Sequence, residues 1–187
     1  MILPVYAYGT PHLRKVSDDI GPDYEGLADL IENMFETMRS SDGVGLAAPQ
    51  VGLSIRLFVV DANIYADEDP GLKDFRRVFI NSEIYHYEGR EELMTEGCLS
   101  IPGIHEDVSR PPEIRIRYLD ENFREHDESF SGMAARIIQH EYDHLDGILF
   151  TDKLSPLKKR LLKGKLRDIT NGKTDAKYKM VFPSKKK

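Results

Sequence analysis

Residues 131–147 read SGMAARIIQHEYDHLDG. Ser131 can cap a helix that runs through Met133, Ala134, Ile137, Ile138 and Leu145, and Gly147 supplies a left-handed residue to end it. Polar residues are few before His140, so most of this helix is expected to be buried. His140-Glu141-Tyr142-Asp143-His144 then forms a His-Glu-x-x-His pattern. Four helical residues turn through about 400° and rise by roughly 6 Å, so both imidazoles point the same way, close enough to share one metal ion. Glu141 lies about 100° round the helix, where its carboxylate can work on water without binding metal itself. The bland alternative is a chance match with solvated histidines. It is disfavoured because the helix enters the pattern as an apolar segment, where two histidines and a glutamate are costly without a compensating partner.

A catalytic site of this kind needs three protein ligands and one open position. In the common metalloproteases the third lies beyond the helix, but neither Glu nor His occurs after His144. That argues against an endoprotease and moves the search upstream. Cys98 is the strongest candidate there, since a thiolate suits zinc or ferrous iron. Alone it would read as an inert buried thiol. Its setting, Glu96-Gly97-Cys98-Leu99-Ser100 followed by Ile101-Pro102-Gly103, reads as a tight turn in which Gly97 lets backbone approach a ligand.

Around these segments the pattern is mixed. Leu27, Leu30, Ile31, Met34, Phe35 and Met38 make one stripe of a helix over 25–38. Residues 43–52 hold too many Gly and Ala, with a Pro, for an internal strand, and are read as an irregular loop or edge. Residues 55–61, 78–87 and 113–120 predict strands, and Asp120-Glu121-Asn122 a turn into a further strand near 123–130. A last helix starts at Ser155 and Pro156, with Leu157, Leu161, Leu162 and Leu166 expected to dock one face. The fold class is α+β: antiparallel sheets packed around a central metal-binding helix, with a C-terminal helix.

The chain has 187 residues, 40% hydrophobic and 31% charged, a balance that suits one ordinary core rather than disorder. A single domain over 1–170 with a basic tail over 171–187 is expected. Residues 153–187 carry 13 Lys or Arg against Asp168 and Asp175, a net of +11 that leaves −17 on residues 1–152. One cysteine allows no internal disulfide, and neither a signal peptide nor a run of 18 or more apolar residues is evident. A cytoplasmic location is expected, with neither membrane nor DNA as a partner.

Three segments in order, Gly43-Val44-Gly45-Leu46-Ala47-Ala48-Pro49-Gln50, Glu96-Gly97-Cys98-Leu99-Ser100 and Gln139-His140-Glu141-Tyr142-Asp143-His144, resemble the peptide deformylase family. The likeness spans most of Gly43 to Gly147. It implies that Cys98, His140 and His144 bind one divalent ion, usually Fe²⁺ with Zn²⁺ or Ni²⁺ as substitutes. It also implies that Gln50 and the Leu99 N–H stand near the reacting carbonyl, with Glu141 as the base. Substrates would be N-formylmethionyl peptides, hydrolysed to formate and a free N-terminus. Tyr142 replaces a Met common in the family, and His105 aligns with an Arg common in bacterial members.

Gly43-Val44-Gly45 reads either as a turn after the first helix or as an extended edge that pairs with substrate backbone, and the two are compatible. Val44, Met94, Met133 and Ile137 are candidates for an apolar methionine pocket, with core packing as the alternative. The basic last helix and Lys185-Lys186-Lys187 could attract ribosomal RNA. The tail after Thr170 is expected to be dispensable for turnover.

Overall fold

The structure is a computed structural model that describes residues 1–184. In chain order the elements are β1 (Val5–Tyr6), α1 (Leu27–Ser40), β2 (Gly45–Ala47), β3 (Leu57–Asp61), β4 (Arg76–Glu88), β5 (Glu92–Glu96), β6 (Glu106–Arg110), β7 (Glu113–Leu119), β8 (Glu125–Ser131), α2 (Gly132–Leu145), α3 (Pro156–Thr170) and β9 (Met180–Val181). Five strands form one antiparallel sheet in the order β2-β3-β4-β7-β8. This is the α+β class expected from the sequence.

Alternation along β3 shows how the sheet is sandwiched. Phe58 and Val60 pack with Ile114, Ile116, Ala135 and Ile138 on the α2 side, whereas Leu57 and Val59 pack with Ile31, Met34, Phe35 and Met38 on the α1 side. Successive residues face opposite ways, so a strand covered on both faces reads as a continuous apolar run. β8 lies at the sheet edge and only alternate residues are half-buried, which explains its polar sequence.

Beyond the sandwich, β5 and β6 form a hairpin, and β1 and β9 pair in parallel. A third apolar cluster joins Leu13, Ile101, Ile104, Val108, Phe150 and Leu162 between this hairpin and α3. Among the described residues, no helix is long and apolar enough to cross a membrane.

Two expectations are corrected and one holds. Ser131 occupies the cap position with extended backbone but makes no side-chain cap hydrogen bond; it closes β8, and Gly132 at φ +58° turns the strand directly into α2. Ser155 does cap α3, accepting from the Lys158 N–H at 3.3 Å. On α3 the buried stripe is Leu162, Leu166 and Ile169, while Leu157 and Leu161 are 65% and 72% exposed. Leu161 lies about 100° from Leu162, which places it off the docked face.

The segment after Thr170 is not a free appendage. Residues 173–182 run back over the body, and Met180 and Val181 pair with Val5 and Tyr6. Main-chain hydrogen bonding, invisible to charge counting, holds the segment there. Lys185, Lys186 and Lys187 lie outside the described residues.

Candidate metal centre

α2 carries His140, Glu141 and His144 into the interior, where they are 8%, 5% and 1% exposed. Cys98 reaches them from the turn that links β5 to β6. One donor atom from each of Cys98, His140 and His144 lies within 4.8 Å of the others, and Cys98 Sγ stands 3.4 Å from His144 Nε2. A tetrahedral ion with bonds of about 2.0–2.3 Å needs ligand atoms about 3.3–3.8 Å apart, so this donor set is suited to a single cation.

The His140 ring is oriented by its second nitrogen. Nδ1 lies 2.8 Å from Glu96 Oε2 and donates to it, which leaves Nε2 as the ring's ligand atom for a metal ion once any proton there is displaced. Glu96 is itself held by Arg110, through Nε at 2.6 Å and Nη2 at 2.9 Å, and by Arg136 Nη1 at 3.1 Å. Burial works to raise the Glu96 pKa, but the bonds from His140 and Arg110 override it and keep the carboxylate ionised. Burial likewise disfavours a charged His140, yet Cys98 and Glu96 draw a proton onto it, and the same field attracts a metal cation. At His144 burial wins and the ring is neutral, the form that can bind metal.

Glu141 is different. Its Oε2 is buried without a hydrogen-bond partner among the described residues. Burial raises its pKa to about 7, which suits a group that must accept and release a proton near neutrality. β2 passes directly over this carboxylate: a Cβ on Gly45 would lie 2.7 Å from Glu141 Cδ, so only glycine lets the two approach this closely.

Gln50 follows β2 in a short 3₁₀ turn. Its Oε1 accepts from the Ala47 N–H at 2.8 Å, which fixes Nε2 towards Cys98 Sγ at 3.4 Å and Ser100 Oγ at 3.3 Å. The amide therefore presents a donor to the site.

A cleft of about 810 Å³ opens on this cluster. Val44, Gly45, Gln50, Gly97, Cys98, Leu99, Met133, Ile137, His140 and Glu141 all line it. His144 lies behind them. Met94 does not line the cleft; it sits on β5 opposite Val108. Met94 shares its face of β5 with Glu96, which is turned towards His140, but it stands two residues further along the strand from the metal centre. His105 does reach the cleft, its ring so close over Gly97 that a Cβ there would meet it at 2.7 Å.

Sequence reasoning assigned no role to Arg110, Arg136, Asp143 and Ser100, nor to Glu96 beyond its place in a motif. Arg136 carried a usable signal, since an arginine inside an apolar helical run must find buried acceptors. It finds Glu96, Val108 O at 2.9 Å and Glu92 O at 2.7 Å, so α2 is bolted to the β5–β6 hairpin. Also unforeseen were Ile64, Tyr65, Lys173, Thr174, Asp175, Ala176 and Tyr178 in the cleft wall.

Comparison with known proteins accords with this geometry. The family model for polypeptide deformylase matches residues 2–160. The chain belongs to the polypeptide deformylase family. It is 55% identical to the peptide deformylase of Christiangramia forsetii, covering 100% of this chain and 99% of the relative, and 54% identical to that of Flavobacterium johnsoniae over the same shares. The crystal structure of a peptide deformylase from Legionella pneumophila superposes with a TM-score of 0.80 at 37% identity, covering 91% of this chain and 96% of that one. As a polypeptide deformylase, the chain is a metal-dependent hydrolase that removes the N-terminal formyl group from nascent polypeptides.

Proposed function

We propose that Cys98, His140 and His144 are the metal ligands of this deformylase, that Glu141 carries the proton, and that Gln50 and the Leu99 N–H receive the carbonyl oxygen. The observation that carries the reading is the Cys-His-His donor set with an unpartnered, buried Glu141 carboxylate beside it. The family likeness favours Fe²⁺ as the ion, and a mixed thiolate and imidazole set also accepts Zn²⁺ or Ni²⁺ as substitutes. When bound, the ion supplies Lewis acidity: it acidifies water and polarises a carbonyl.

Glu141 takes a proton from the attacking water and returns it to the leaving amine nitrogen. Gln50 Nε2, with its Oε1 tied to Ala47, donates to the oxyanion as charge develops. Among the described residues β2 is an edge strand paired with β3, so the cleft-side backbone at Gly45, and at Val44 just before it, can add the substrate as a further strand. Gly97 lies in the opposite wall, where the lack of a side chain lets the His105 ring pack on the backbone. Val44, Met133 and Ile137 supply apolar surface for the methionine side chain. Formate and a free methionyl N-terminus are released.

Formate release from formyl-Met-Ala-Ser, but not from the N-acetylated or an internal peptide, tests the reading against endoprotease and binding-module alternatives. Glu141→Ala should keep its metal and lose about 10²–10⁴-fold in kcat. Full activity, or loss of the metal, would refute the assignment.

A ribosomal contact through α3 is part of the same proposal. Lys159, Arg160, Lys163 and Arg167 are exposed on its outer side, where they can reach RNA phosphates. Reversing these charges should abolish co-sedimentation with ribosomes at low salt, and parental co-sedimentation would make the face a solubilising surface only. The expected location is cytoplasmic, where ribosomes supply the substrate.

A further inference from the structure

The turn that carries Cys98 is the least supported part of the site in terms of regular structure, because it joins two strands of a small hairpin. Its main-chain carbonyls are nevertheless each bonded. Cys98 O accepts from the Ile101 N–H at 2.9 Å, Ser100 O from the Tyr8 N–H at 2.8 Å, and Leu99 O from the Tyr178 hydroxyl at 2.7 Å. The first bond belongs to the turn itself. The other two come from opposite ends of the chain, and those ends are joined: β1 pairs with β9, and Val5 N–H and Ala7 N–H donate to Lys179 O and Val181 O at 2.9 and 2.8 Å. Tyr8 lies two residues after β1 and Tyr178 two residues before β9. Cys98 packs in the same cluster as Tyr8, Met180 and Phe182.

We infer that the β1–β9 ribbon is a clamp on the Cys98-Leu99-Ser100 turn, and that Tyr178 is a positioning residue whose hydroxyl holds Leu99 in register for metal binding and for the oxyanion. The inference rests on the proposed roles of Cys98 and Leu99. The Leu99 N–H shares its peptide plane with the Cys98 carbonyl, which Ile101 holds, and the Leu99 carbonyl lies in the next plane, which Tyr178 holds, so a donor on that carbonyl fixes the second of the two planes that meet at the Leu99 Cα. Ser100 is restrained in turn, and its hydroxyl is within reach of Gln50 Nε2. One clamp therefore acts on a metal ligand and on both oxyanion donors. The expectation that residues after Thr170 are dispensable for turnover is replaced by its opposite for the stretch up to Val181.

Tyr178→Phe in the full-length protein tests this, since phenylalanine keeps the ring that packs there and removes only the hydroxyl. Two readouts apply: kcat and KM for formyl-Met-Ala-Ser, and the rate at which Zn²⁺-loaded protein loses its metal to EDTA. The expected result is a fall in kcat of about 3- to 10-fold, the range set by one hydrogen bond, at unchanged KM, with faster metal loss. A change in either kcat or metal loss at unchanged KM supports the clamp. Parental kcat and parental metal loss overturn it, whatever happens to the melting temperature, and so does an effect on KM alone, which would make Tyr178 part of the cleft wall. Should the parent release no formate, the functional reading has failed instead, and metal loss still decides whether the turn is clamped.

Discussion

Replacing Gly45 by alanine adds one methyl group where β2 crosses Glu141. The backbone itself tolerates the change, because Gly45 is not among the glycines with positive φ. The new Cβ would sit 2.7 Å from both Cγ and Cδ of Glu141, whereas ordinary carbon contacts lie near 3.4–4 Å. Val60 pairs with Gly45 across the strand and holds β2 in place, so the carboxylate has to retreat, by about 1 Å. A displacement of that size at a reacting group costs about 10²-fold in rate. Overpacking at one buried position costs about 1–3 kcal/mol, partly offset by the stiffer unfolded chain, so the protein still folds. Gly45→Ala should therefore give about 10²-fold lower kcat for formate release, with metal content unchanged because the three atoms nearest the new Cβ all belong to Glu141 and not to a metal ligand. A kcat within threefold of the parent would refute the reasoning, since Glu141 would then have an alternative productive position. A raised KM with normal kcat would also refute it, and would leave Gly45 as a substrate-backbone contact only.

Two further outcomes test the metal and the pocket. Cys98→Ser should weaken metal retention under dialysis against chelator, because an alcohol is a poorer ligand than a thiolate, and ferrous protein with Cys98 intact should lose activity in air by oxidation at metal or sulfur; one tightly held ion and normal rates in the serine variant would move the third ligand elsewhere. Enlarging Ile137 or Val44 should lower the preference for methionine over alanine after the formyl group by about tenfold in kcat/KM, the scale of a methylene or two in an apolar pocket, and unchanged selectivity in both variants would relocate the pocket.

The sequence alone determined where the candidate residues of α2 stand relative to one another because that arrangement is local. His140 and His144 share a helix face by the geometry of one turn and a fraction, and Glu141 falls beside them for the same reason. Strand and helix periodicities were equally readable in β3, β4, β7 and α1, where burial on a regular element leaves a regular pattern. The distance from Cys98 to His144 was not readable, since 46 residues separate them and only the packing of the β5–β6 hairpin on α2 closes the gap to 3.4 Å. The same holds for Arg110 and Arg136, whose buried charges depend on Glu96 arriving from another strand. Met94 lies on the same face of β5 as Glu96 but two residues further along, outside the cleft wall, and how far a pocket extends along a strand is not written in the sequence. Residues 173–181 looked like a solvated basic tail because their attachment uses main-chain hydrogen bonds to β1 and one tyrosine hydroxyl to Leu99, and backbone donors are the same in every sequence.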